Sequence, residues 1–161
     1  MIKKARRCWI PLLAVLLITV GLRSAGAEDQ HSVHEKFHRH HVGLLLGNTE
    51  EGHENGFTIG VDYEYRLKDL IGLGGVAEYV GGDFDSFVLT GLIFIHPYKG
   101  LRFVLGPGVE NRDSEYNFSL RAGIGYRFHV DDAWTIAPEF NVDFFERDEA
   151  LVYGVSIGRG F

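Results

Sequence analysis

The feature that most limits what this chain can fold into is a strict two-residue alternation, repeated in runs of about ten residues. It is clearest at Phe57–Leu67. There Phe57, Ile59, Val61, Tyr63, Tyr65 and Leu67 alternate with Thr58, Gly60, Asp62, Glu64 and Arg66. Successive side chains of a strand point to opposite faces, so such a run makes one apolar face and one small or polar face. Seven more runs follow the same plan, separated by turn signals: His40–Asn48, Ile71–Val80, Phe87–Ile95, Leu101–Val109, Phe118–Phe128, Trp134–Phe144 and Leu151–Phe161. Phe87–Ile95 is apolar on both faces, which leaves its register open. No long helical period interrupts the series. The pattern predicts an all-β protein of eight antiparallel strands.

The first residues carry an address. Lys3, Lys4, Arg6 and Arg7 precede an apolar run from Trp9 to Leu22, followed by Ala25-Gly26-Ala27. A positive segment, an apolar segment and a small-residue site make residues 1–27 a secretory signal peptide. The run contains Pro11 and is short of the roughly 20 residues a spanning helix needs. The sole cysteine, Cys8, precedes the apolar run and would leave with the signal, so no disulfide is expected in the mature chain. Cleavage removes five basic residues and no acidic ones, leaving 11 basic against 22 acidic, a net charge of −11. Nucleic acid is thereby a poor partner, because its affinity comes from neutralising phosphates.

Residues 28–41 (EDQHSVHEKFHRHH) hold five of the eight histidines, with no strand pattern starting before His40, and read as a periplasmic segment ahead of a barrel at 42–161. Three connections, Arg66–Asp69, His96–Gly100 and His129–Ala133, are tight and polar. The other four, Asn48–Gly56, Gly81–Ser86, Glu110–Glu115 and Glu146–Ala150, are short and acidic, with net charges of −3, −2, −2 and −2, or −9 together.

Alternation alone does not tell a lipid-facing barrel from a soluble one turned inside out. Three features favour lipid. The polar face is rich in Gly and Ser, as the crowded inside of an eight-stranded barrel demands. Its charges are of mixed sign, with Asp62, Glu64, Glu78, Glu139 and Asp143 against Arg66, Arg102, Arg121 and Arg127. Aromatics gather at the strand ends of the apolar face, as in a membrane-interface belt. Runs of this length also suit a tilted strand crossing a bilayer.

At this point the chain resembles the small eight-stranded outer-membrane β-barrels, such as the OmpA transmembrane domain and OmpX. The likeness covers about Val42–Phe161, and no subfamily motif accompanies it. The closing run, with Tyr153, Val155, Ile157 and Phe161 on the apolar face, looks like that family's C-terminal assembly signal, although Arg159 stands where the family usually carries Tyr or an aliphatic residue. The resemblance implies an up-and-down transmembrane barrel in a Gram-negative outer membrane. Its partners would be outer-membrane lipid, lipopolysaccharide and the barrel assembly machinery.

The mixed charges of the lumen are expected to form an ion-paired plug, since unpaired charge in a confined lumen is costly. A narrow small-solute channel gated by Arg102, Arg121 and Arg127 is the alternative. His34 and His38 would share a face of a helix, and with His40 and His41 form a weak metal candidate lacking a third ligand of fixed geometry. His53 with Asp85-Ser86 loosely matches the lipid A palmitoyltransferases, but that chemistry needs an apolar lumen for an acyl chain. No cofactor and no catalysis are expected, and the role read here is structural or interactive.

Overall fold

A sheet with one apolar and one polar face separates the two and removes its edges by closing into a barrel. The computed structural model describes residues 38–146 and 148–161. Residues 1–27, which read as a signal peptide, and the histidines before His38 lie outside the described residues. The strands are β1 (His40–Glu51), β2 (Glu54–Arg66), β3 (Ile71–Val80), β4 (Ser86–Tyr98), β5 (Leu101–Arg112), β6 (Glu115–Tyr126), β7 (Phe128–His129), β8 (Trp134–Phe144) and β9 (Glu149–Gly160). Each pairs antiparallel with its neighbours, β1 pairs with β9, and β6 pairs with β8 to close the ring. No described residue is helical.

β6 and β7 are one stave broken at Arg127, so the barrel has eight staves. Gly125 pairs with Glu139 and Phe128 with Ile136, an unchanged register. That register sets Tyr126 opposite Pro138, which has no N–H to give the ladder. Arg127 N–H donates instead to Gly100 O at 2.7 Å.

The hairpins differ from the sequence expectation. β1 and β2 pair as far as Glu51 with Glu54, so only Gly52 and His53 form the turn, rather than Asn48–Gly56. Gly52 adopts φ +61°, as the first central position of a type II′ turn requires. β5 and β6 pair to Arg112 with Glu115, leaving Asp113 (φ 52°) and Ser114 (φ 68°) as a type I′ pair. Acidic composition hid these strand ends, where ladder hydrogen bonding outweighs low β-propensity. At the far end, β1 begins at His40. His40 and His41 lie in the barrel wall, where the run that starts at His40 puts them, although the boundary drawn at residue 41 cuts across that run. Asp131 Oδ1 accepts the N–H groups of Trp134 and Ala133, each at 2.8 Å, closing the turn before β8. Those bonds hold its carboxyl below its ordinary range, the Trp134 bond most of all.

The structure fixes the open register of β4. Val88, Thr90, Leu92 and Phe94 point inward, and Phe87, Leu89, Ile93 and Ile95 outward. Among the described residues the usual sidedness is inverted: 17 polar or charged residues are buried against 11 apolar ones, while 34 large apolar residues are exposed. At about half exposure each costs roughly 1 kcal/mol in water, of order 30 kcal/mol in all. That is several times the net stability of a folded domain. Such a wall needs an apolar surrounding.

Candidate functional site

The inward face builds the site. Asp62, Glu64 and Arg66 take alternate inward places on β2, and Glu78 does so on β3. Arg102 comes from β5, Arg121 from β6, Arg127 from the break before β7, and Glu139 and Asp143 from β8. All nine side chains are drawn into three layers of ion pairs.

The layer nearest the hairpin end spans the lumen. Arg121 and Asp143 are register partners on neighbouring staves. Arg121 Nε donates to Asp143 Oδ1 at 2.7 Å and Nη2 to Oδ2 at 2.6 Å. The same guanidinium donates Nη1 and Nη2 to Glu78 Oε1 and Oε2 at 2.8 and 2.6 Å. β3 and β8 stand four staves apart in the ring of eight, so this double fork ties opposite walls together. The three side chains are only 1–3% exposed.

One step nearer the chain ends, Arg102 donates to Glu139, lies 3.7 Å from Asp62 Oδ2 and stacks 5.3 Å over the Phe94 ring. The third layer gathers on Glu64. His96 Nε2 approaches Oε1 at 2.6 Å, Arg127 Nη2 donates to Oε2 at 3.1 Å, and Arg66 Nε lies 3.4 Å from Oε1. Room for these carboxylates comes from missing side chains. A Cβ at Gly72 would collide with the Glu64 carboxylate, and one at Gly43 with Asp62. Each layer joins side chains from several staves across the lumen.

Sequence reasoning missed several members. His41 falls both in the leading segment 28–41 and in the run His40–Asn48, and it is buried in the lumen, where it meets Thr135 Oγ1 at 3.0 Å. Its signal was present, since it keeps phase with Gly43 and Leu45. The His96–Gly100 connection expected from the sequence takes in His96, although it lies two residues beyond Phe94 in the inward phase and on β4. Phe84 lies on a loop and is 3% exposed, packed with Val80 and Val88 inside the hairpin end. No periodic signal marks it.

The other candidates fall apart. His40 and His41 point to opposite faces, so they cannot share a metal. His40 instead stacks on Phe161 at 5.5 Å and meets Tyr63 Oη at 2.8 Å. His38 Nε2 lies 2.8 Å from Asp132 O, and His34 lies outside the described residues. His53 is exposed in its hairpin, Asp85 accepts the Tyr79 hydroxyl at 2.6 Å, and the Ser86 hydroxyl is buried without a hydrogen-bond partner. No hydrogen bond joins the Ser86 hydroxyl to His53 or Asp85. Tyr153, Val155, Ile157 and Phe161 all face outward from the closing stave or its end.

No protein-family model and no curated protein matches the chain. Solved structures do. The N-terminal β-barrel domain of Pseudomonas aeruginosa OprF is 15% identical, covering 77% of this chain and 98% of that one, with a TM-score of 0.60. Neisserial surface protein A is 9% identical, covering 76% and 96%, at 0.55. Ail, the attachment invasion locus protein of Yersinia pestis, is 15% identical over the same shares, at 0.53. The fold is that of the small eight-stranded outer-membrane β-barrels. In a small outer-membrane barrel the inward face is the lumen, and here that lumen is filled by paired charge.

Proposed function

We propose that this protein is a non-enzymatic outer-membrane barrel. Its closed lumen serves as a scaffold, and its acidic hairpin end is the working surface. The observation that carries the reading is Arg121 held between Glu78 and Asp143, a buried cross-brace from wall to wall. Unpaired, any of these charges would be costly in the lumen, and paired they fix its geometry. An apolar wall with 34 exposed large side chains supports the membrane setting, and the signal peptide read from residues 1–27 supports export. The outward tyrosines fit an interfacial belt: Tyr79 and Tyr153 donate to Asp85 and Glu50 at the hairpin end. Four acidic hairpins there favour a basic partner or cations shared with lipopolysaccharide phosphates. Closing-strand residues Tyr153, Val155, Ile157 and Phe161 serve as the signal read by the barrel assembly machinery.

Two measurements test this. Envelope fractions separated by density and run on gels boiled and unboiled should place a heat-modifiable band in the outer membrane. A soluble periplasmic band with no shift ends the membrane reading. Purified protein in planar bilayers should give no conductance steps. Regular steps that vanish on changing Arg102, Arg121 or Arg127 would make it a narrow channel instead.

A further inference from the structure

Below the Glu64 layer the lumen widens into a cavity of about 460 Å³ at the end where β1 begins and β9 stops. Its wall includes Arg66, Lys99, Arg127, His38, His41 and His96. The two arginines there share one carboxylate, Glu64. What else orients them is neutral. His96 Nδ1 accepts from Arg66 Nη2 at 3.1 Å while its Nε2–H serves Glu64. His41 Nδ1 faces Arg127 Nη2 at 3.5 Å while its Nε2–H serves Thr135. Both imidazoles thus act as acceptors for guanidiniums, which positions positive charge without cancelling it. Arg127 Nε is buried and has no hydrogen-bond partner. A buried donor left this way is costly, although Nε itself is closed off and it is the rest of the guanidinium's side chain that lines the cavity. Asp69 and Asp132 also line the cavity, so its wall is of mixed sign, with the surplus of positive charge at the arginines.

We propose that this cavity is a binding site for a phosphate-class oxyanion. The anion sits between the guanidiniums of Arg66 and Arg127, whose planar forks suit tetrahedral oxygens, and Lys99 adds a point charge. The volume admits a phosphate or a small phosphomonoester and excludes a macromolecule. This site does not depend on whether the lumen conducts.

The test is calorimetric titration of inorganic phosphate into the full mature protein in detergent micelles, with chloride held constant. Saturable binding is expected, weakened about tenfold by Arg66→Gln and by Lys99→Gln, since each removes a charge-assisted contact. Arg112→Gln, at the other end of the barrel, should leave it unchanged. Lys99 lies in a two-residue turn outside the ion-pair layers, so its variant tests the site even if Arg66→Gln fails to fold. Absence of saturable binding in the wild type overturns the proposal. So does equal weakening in the Arg112 variant, which would mean diffuse charge attraction only.

Discussion

Arg121 and Arg112 each hold two carboxylates. Arg121 holds Glu78 and Asp143 at the middle of the lumen, all three side chains no more than 3% exposed. Arg112 sits at the hairpin end, with Glu51 Oε2 at 3.4 Å and Glu54 Oε2 at 2.6 Å, and its partners are 24% and 49% exposed. It stacks on Phe84 at 4.9 Å as Arg102 stacks on Phe94. The chemical groups match and the solvent does not. At Arg112 water screens the charges and takes over when a partner is lost, so such a pair is worth about 0–1 kcal/mol. At Arg121 water has been displaced, so the pair itself gains little over an apolar core, but breaking it strands a charge. The first arginine decides whether the barrel holds its shape. The second trims a surface.

The sharpest way to break the comparison is Arg121→Ala. It leaves Glu78 and Asp143 buried without a counter-charge and should cost about 3–5 kcal/mol, read as a lower urea midpoint in micelles. Changing all three together, Arg121→Met with Glu78→Leu and Asp143→Leu, should recover most of that loss. Failure to recover would mean that the network does more than satisfy itself.

The outer wall is the third environment. Val155→Arg puts a cation on the lipid face of β9 and should cost about 2–4 kcal/mol in a bilayer. The same variant would be nearly silent if that wall met water. Gly72→Ala comes next. It drives a methyl group into the Glu64 carboxylate and should cost about 1–3 kcal/mol as the layer shifts. The smallest effect belongs to Arg112→Ala, at about 0–1 kcal/mol, and it should shrink further in 1 M salt, where exposed pairs are screened within about 3 Å. A salt-independent loss there as large as that of Arg121→Ala would erase the distinction between the two arginines.

Phe57–Leu67 shows how far the sequence reached. Its alternation gave the strand and set Ile59 and Val61 on one face and Asp62 and Glu64 on the other, because a period of two is a local property of the backbone. The same rule failed on Phe87–Ile95, where both faces are apolar. Phe94 and Leu92 point inward because β4 pairs Phe94 with Gly72 and Leu92 with Gly74, which a one-strand pattern cannot show. Glu50, Glu51 and Glu54 had looked like loop. They lie on paired strand because the ladder, not side-chain type, sets where a hairpin ends.

By itself, the sequence determined that there are eight alternating strands and which side chains share a face, since alternation is written residue by residue. It also determined the acidity of one end, since charge is counted the same way. Only the tertiary structure decided that Glu78 reaches Arg121, 43 positions away, that His41 and His96 join the lumen, and that Phe84 folds into the hairpin end. Those contacts depend on which staves face one another across the closed ring and at what height. Strand number and stagger set both, and no single strand encodes them.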